Sequence, residues 1–136
     1  MADKVRRVDY FYFEVQDKPG EGARLFGKLA DAGVLLLSFT AFPVAGGKAQ
    51  ITVVPEKTDL FLTAAKNAGL THSGTKQCLL VQGDDRVGAA RDIFKRLADV
   101  NVNCVASNAV SSGGTYGLVL FVKQADLAAA AKALGV

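Results

Sequence analysis

The stretch Val15–Val34, VQDKPGEGARLFGKLADAGV, decides the fold. It reads as the end of a strand, a tight turn and an amphipathic helix. The chain writes it a second time at Gly83–Val102, GDDRVGAARDIFKRLADVNV. At a shift of 68 residues Asp17 falls on Asp85, Gly20 on Gly88, Phe26 on Phe94, Leu29 on Leu97, Ala30 on Ala98, Asp31 on Asp99 and Val34 on Val102. The same shift runs on through Ala41/Ala109, Gly46/Gly114 and Val54/Val122. The chain is therefore one unit written twice, and its function has to make sense of two copies.

Outward from that stretch, Val8–Val15 is aromatic and β-branched and reads as a strand, with Phe11, Phe13 and Val15 on one face and Tyr10, Tyr12 and Glu14 on the other. Pro19 fits the first turn of a helix, where its missing N–H is no loss, and Asp17 suits its start as a cap. Leu25, Phe26, Leu29 and Ala30 make the apolar face, and Gly33 stops the helix. Strands follow at Leu35–Phe42 and Ala49–Val54, joined by a Gly46-Gly47 hairpin, then a helix at Asp59–Ala68. The second copy repeats the order: a helix over Val87–Val100, strands at Asn103–Val110 and Tyr116–Val122, and a helix at Asp126–Leu134. Its last strand has no residues left to form it, so an unpaired edge is expected where a second chain can pair. The segment Leu70–Gly83 can close the first unit, open the second or do both as one strand broken near Gly74; the shared reading is preferred. The expected division is residues 1–74 and 75–136.

With 136 residues, half of them apolar, and a net charge of +3, the chain can bury a sizeable core and has no strong electrostatic pull toward nucleic acid. Cys78 and Cys104 sit in apolar runs and read as free, buried thiols rather than a disulfide or zinc set. The charged start, Met1–Arg7, does not read as a signal peptide, and a run such as Val34–Leu37 is far too short to cross a membrane. A cytoplasmic protein follows by default.

Strand, Asp17-Lys18-Pro19-Gly20 turn, helix with Leu25, Phe26 and Leu29, Ala32-Gly33-Val34, strand, glycine hairpin, strand and helix together resemble the ACT domain. The second copy carries Asp85-Arg86-Val87-Gly88, Ile93, Phe94, Leu97 and Asn101-Val102-Asn103, so the resemblance covers nearly the whole chain. It implies an α+β fold: two ferredoxin-like βαββαβ repeats side by side, antiparallel sheets with helices on one face. It also implies a small ligand, often an amino acid, bound at a paired interface; a homodimer; and a partner enzyme regulated by the module rather than catalysis by the module itself.

The chemistry of the turn agrees. A helix N-terminus presents unpaired N–H groups and a partial positive charge to a carboxylate, and Gly20 or Gly88 lets a ligand approach the backbone. The resemblance places Asn at the start of the next strand; the second copy has Asn103 and the first has Leu35. Glu21 would repel a carboxylate where the second copy has Ala89. One good site is therefore expected, from Asp85, Arg86, Val87, Gly88 and Ala89 with Asn103, joined by Ser38 and Thr40 from the first copy. A weaker one comprises Lys18, Pro19 and Gly20 with Ser107 and Asn108. No catalytic residue, metal site or cofactor is expected: His72 reads as a surface histidine, the hairpin glycines do not form a P-loop, and no nucleophile–base pair stands out. The rival readings are a ligand-free interaction module and a single-strand nucleic-acid binder using Tyr10 and Tyr12.

Overall fold

The computed structural model describes residues 3–136. Six strands and four helices run in the order β1 (Lys4–Gln16), α1 (Glu21–Asp31), β2 (Leu36–Val44), β3 (Lys48–Pro55), α2 (Thr58–Asn67), β4 (Lys76–Asp84), α3 (Ala89–Asp99), β5 (Cys104–Ser112), β6 (Thr115–Val122) and α4 (Leu127–Leu134), the last entered through a 3₁₀ turn at Gln124–Asp126. The strand-helix-strand-strand-helix order is thus present twice. The described residues form two compact units, one of Asp9–Lys76 and one of Gln77–Val136 together with residues 3–8.

In the Asp9–Lys76 unit, β3 lies between β2 and β1, antiparallel to both, with Phe13 opposite Ile51 and Thr40 opposite Thr52. Helix α1 turns Leu25 and Leu29 inward, four residues apart and so stacked on one face. They meet Phe11, Phe13, Ile51, Val53 and Phe61 in one core. Phe11 and Phe61 stack at 4.4 Å. The other unit builds the same core from Ile93, Leu97, Leu79, Val81, Leu118 and Leu120, with α4 adding Leu127, Ala130, Ala131 and Leu134. Helix α1 ends on Gly33 at φ 76°, with the Val34 N–H donating to the Leu29 carbonyl; α3 ends likewise on Asn101 at φ 58°, with Val102 donating to Leu97. Asparagine replaces glycine there because it tolerates the left-handed region better than other side chains.

Several expectations change. The expected 74/75 division put the chain's first residues in the first copy, whereas residues 3–8 group with Gln77–Val136. β1 starts at Lys4 rather than Val8, neighbours β4, and turns Val5 onto the second unit's core. The place expected to lack a strand is thereby filled. Residues 70–75 are not a strand; the Ser73 N–H donates to the Tyr12 carbonyl at 2.9 Å and the Tyr12 N–H to Ser73 Oγ at 3.0 Å, tying an irregular segment beside β1. The shift of 68 does not hold to the end, because Phe13 pairs with Ile51 but Val81 with Leu118, an offset of 67 between β3 and β6. One residue is lost in the second hairpin. Thr52 and Val54 in one unit, and Cys78, Leu80 and Val119 in the other, are buried as well. Tyr10 and Tyr12 are half-buried.

His72 is no surface residue either. Its half-buried ring meets Phe11 and Phe61 at 5.4 Å and Phe13 at 6.0 Å, and Nδ1 lies 2.6 Å from the Ser73 carbonyl. Cys78 is buried; Cys104 is half-buried, its thiol donating to the Ala106 carbonyl. Among the described residues no helix is long and apolar enough to cross a membrane.

Removing residues 1–8 strips β4 of its neighbour. We expect hydrogen exchange at the amides of residues 77–84 to accelerate in that deletion while those of residues 48–55 keep their protection. Unchanged protection in β4 would show that residues 4–8 contribute nothing to it.

Candidate functional site

Both copies start their first helix the same way. Gly20 and Gly88 are the N-caps, at φ 94° and 93°, and no side chain caps either helix. That corrects the expected capping role of Asp17 and Asp85. Their backbone N–H groups instead donate to the hairpin carbonyls of Gly47 and Gly114. Pro19 lies in the turn, two residues ahead of α1, rather than in its first turn. A left-handed N-cap is what only glycine adopts at no steric cost, so it fixes how the turn enters the helix.

At the second copy's turn lies an open cavity of about 390 Å³, within the size range of small-molecule sites. Asp85, Arg86, Gly88 and Ala89 line it with Ala90 and Arg91 from the first turn of α3, Ala109, Val110 and Ser111 from β5, and Tyr116 and Leu118 from β6. The lining is largely apolar. The first-turn N–H groups of α3 have no intrahelical acceptor. Ser111 donates its hydroxyl proton to the Asp85 carboxylate, and Arg91 bonds Asp92 at 3.0 Å.

Arg86 is held from behind. Its Nη1 and Nη2 donate to the two oxygens of Asp3 at 3.0 and 3.1 Å, and Asp92 stands 3.8 Å away. The Asp3 side chain is only 8% exposed. Hydrogen bonding from Arg86 holds the Asp3 carboxyl below its ordinary value, against the opposing effect of burial. The same pairing raises the Arg86 guanidinium. Burial first, then the Asp3 carboxylate, push the Tyr116 phenol up to about 12. Gly83 makes room for this cluster: a Cβ there would stand 2.1 Å from Asp3 Oδ1 and 3.0 Å from the Tyr116 ring.

Of the expected residues, the structure brings together Asp85, Arg86, Gly88 and Ala89. Val87 points fully into solvent. Asn103 precedes β5, whereas the cavity uses the opposite end of that strand, Ala109–Ser111. Ser107 and Asn108 lie on β5 but not in the lining. Ser38 and Thr40 are on β2, and Lys18, Pro19 and Gly20 precede α1, all in the other unit. That unit has a polar cleft of about 220 Å³ elsewhere, lined by Glu14, Arg24, Lys28 and Thr71 among others. Sequence reading missed Arg91, Ser111, Tyr116 and Asp3. For Tyr116 a signal existed: it is the cross-strand partner of Gly83, a glycine inside a strand.

No protein-family model matches the sequence, and no curated protein matches it. Solved structures do resemble it. Protein BT0572 from Bacteroides thetaiotaomicron is 12% identical with a TM-score of 0.79, over 94% of this chain and 88% of that one. The ligand-free regulatory subunit of aspartate kinase from Thermus thermophilus is 14% identical with a TM-score of 0.68, over 98% and 95%. E. coli aspartokinase III in complex with lysine and aspartate is 16% identical with a TM-score of 0.56; this chain matches 32% of it.

Because the folded Asp3 carboxyl titrates below the unfolded one, its contribution to stability is present above the ordinary value of 3.8 and is lost as pH falls below it. The urea midpoint of the wild type should therefore fall toward that of Asp3→Asn as pH drops below about 4. A gap between the two that stays constant with pH would mean that the ion pair does not form in solution.

What these likenesses establish is the fold: the chain is folded like the regulatory subunits of aspartate kinase from Thermus thermophilus and Thermus flavus.

Proposed function

We propose that this chain is a non-catalytic, cytoplasmic regulatory module that binds a small carboxylate-bearing ligand, an amino acid, and acts on a partner enzyme of amino-acid metabolism. The observation that carries the reading is the cavity at the glycine-capped start of α3. It combines a largely apolar lining with first-turn N–H groups that have no intrahelical acceptor, and with cations and a carboxylate, as a zwitterion with a small side chain requires. The fold of aspartate kinase regulatory subunits supports it. The ligand set is Asp85, Arg86, Gly88 and Ala89, with Arg91 and Ser111 added.

A homodimer belongs to the same reading. β5 is the last strand in its unit's order; every residue after Cys104 is exposed, and it carries neither charge nor proline. Those are the devices that normally block edge pairing. This strand also supports the rival reading of a ligand-free interaction module.

A thermal-shift screen with the twenty amino acids and small carboxylates decides between them. Saturation at a hundredfold excess over Kd stabilises by roughly 2.7 kcal/mol, an easily read shift. Gly20→Ala and Gly88→Ala each force alanine into the left-handed region, at about 1–2 kcal/mol. Only Gly88→Ala also sets a Cβ 2.9 Å from the Arg91 guanidinium, at the cavity. The ligand-induced shift should survive Gly20→Ala and vanish in Gly88→Ala. No shift with any compound, in a protein that sediments as a dimer, would favour the interaction module.

A further inference from the structure

The charge cluster behind the cavity is built in one copy only. β1 and β4 correspond residue for residue, and the strand pairings set Val15 opposite Ala49 where the second copy sets Gly83 opposite Tyr116. Lys18 holds the place of Arg86. An apolar pair beside a lysine in one unit is thus a glycine, a tyrosine and an arginine in the other, with Asp3 seated among them. The fit is close. Gly83 has no side chain where Asp3 Oδ1 lies, and the Tyr116 hydroxyl is buried without a well-formed hydrogen bond of its own. Both carboxylate oxygens are spent on the two terminal nitrogens of Arg86, the geometry in which guanidinium binds carboxylate most strongly. Arg86 and Tyr116 also line the cavity, and Asp3 does not.

We propose that Asp3 is a tethered carboxylate that gates Arg86: it holds the guanidinium while the cavity is empty and is displaced from it by a carboxylate or phosphate that enters. The proposal rests on the ligand-binding reading above. The two anions compete for one fork of donors, so a ligand must outcompete an intramolecular partner at high effective concentration. Occupancy of the cavity and anchoring of the strand at residues 4–8 then oppose each other. A ligand that takes Arg86 loosens the start of β1 on β4, and a partner that grips this strand weakens the ligand.

The test uses malonate and inorganic phosphate as probes on the full chain, followed by amide chemical shifts of residues 85–91. Asp3→Asn should bind a probe at least about tenfold more tightly than the wild type, because the tethered competitor is gone. Gly83→Ala should do the same with the charge of Asp3 unchanged, since its Cβ evicts the Asp3 carboxylate. Asp3→Asn/Arg86→Gln should lose the gain. Comparing the probes tells a carboxylate site from a phosphate site, since the one Arg86 prefers shows the larger gain. Equal affinities in wild type, Asp3→Asn and Gly83→Ala, or no binding in any of them, would overturn the gate. Neither result would touch the amino-acid screen on the wild type, which stands or falls separately.

Discussion

The flank of β4 is a row of backbone donors and acceptors that must be paired, and residues 4–8 lie beside it. Most else in that unit follows. β1 is long because its first part belongs to one unit and its remainder to the other. Val5 adds to the core beneath, and Asp3 reaches Arg86 at the turn before α3. A backbone need, unpaired ladder groups, thereby brings a side chain from residue 3 to a turn more than eighty residues away. The Asp9–Lys76 unit meets the same need differently. Its irregular segment at residues 70–75 bonds β1 through Ser73, and His72 inserts among Phe11, Phe13 and Phe61.

The two units share a framework and differ in its details. Shared are those positions where backbone geometry leaves few choices: the left-handed N-caps Gly20 and Gly88, the inward pairs Leu25/Leu29 and Ile93/Leu97, and the left-handed helix ends Gly33 and Asn101. The differences fall at positions that the backbone tolerates in several forms. Val15 and Ala49 can be Gly83 and Tyr116 because a cross-strand pair accepts small with large as readily as two of middling size. That freedom made room for a buried carboxylate.

The fold was largely legible in the sequence because its signals are local. Leu25 and Leu29 at helical spacing, the alternation of Phe11, Phe13 and Val15, and the glycine hairpins each report on their own neighbourhood. What failed was non-local. The partner of β4 stands some seventy residues earlier, and nothing in its charged sequence marks it as a strand. His72 read as polar surface because the three phenylalanines around it come from Phe11, Phe13 and Phe61, far apart in the chain. The turn Asp85–Ala89 could be found because its glycine is a local demand. Ser111 and Asp3 could not, and Tyr116 only through the glycine opposite it, because the strand pairing that delivers them, and the one-residue slip in the second hairpin, are invisible to a repeat read at a constant offset.

The site's charged groups already have partners within the unit: Arg86 with Asp3, Arg91 with Asp92, and the Asp85 carboxylate with the neutral Ser111 hydroxyl. A zwitterion entering the cavity gains no unpaired ion; it exchanges one partner for another. Such exchanges contribute little net free energy, because each broken hydrogen bond is set against one formed. On the proposed reading, affinity would come from the apolar lining of Ala89, Ala109, Val110 and Leu118 and from the first-turn N–H groups that no side chain caps. On the same reading these pairings would set which ligands are refused. A molecule without a carboxylate or phosphate cannot replace what Asp3 gives Arg86, and one that leaves Asp85 unanswered keeps that carboxylate on Ser111. On the proposed reading, a largely apolar lining with internally paired charges would bind modestly and discriminate strongly, as a regulatory site requires.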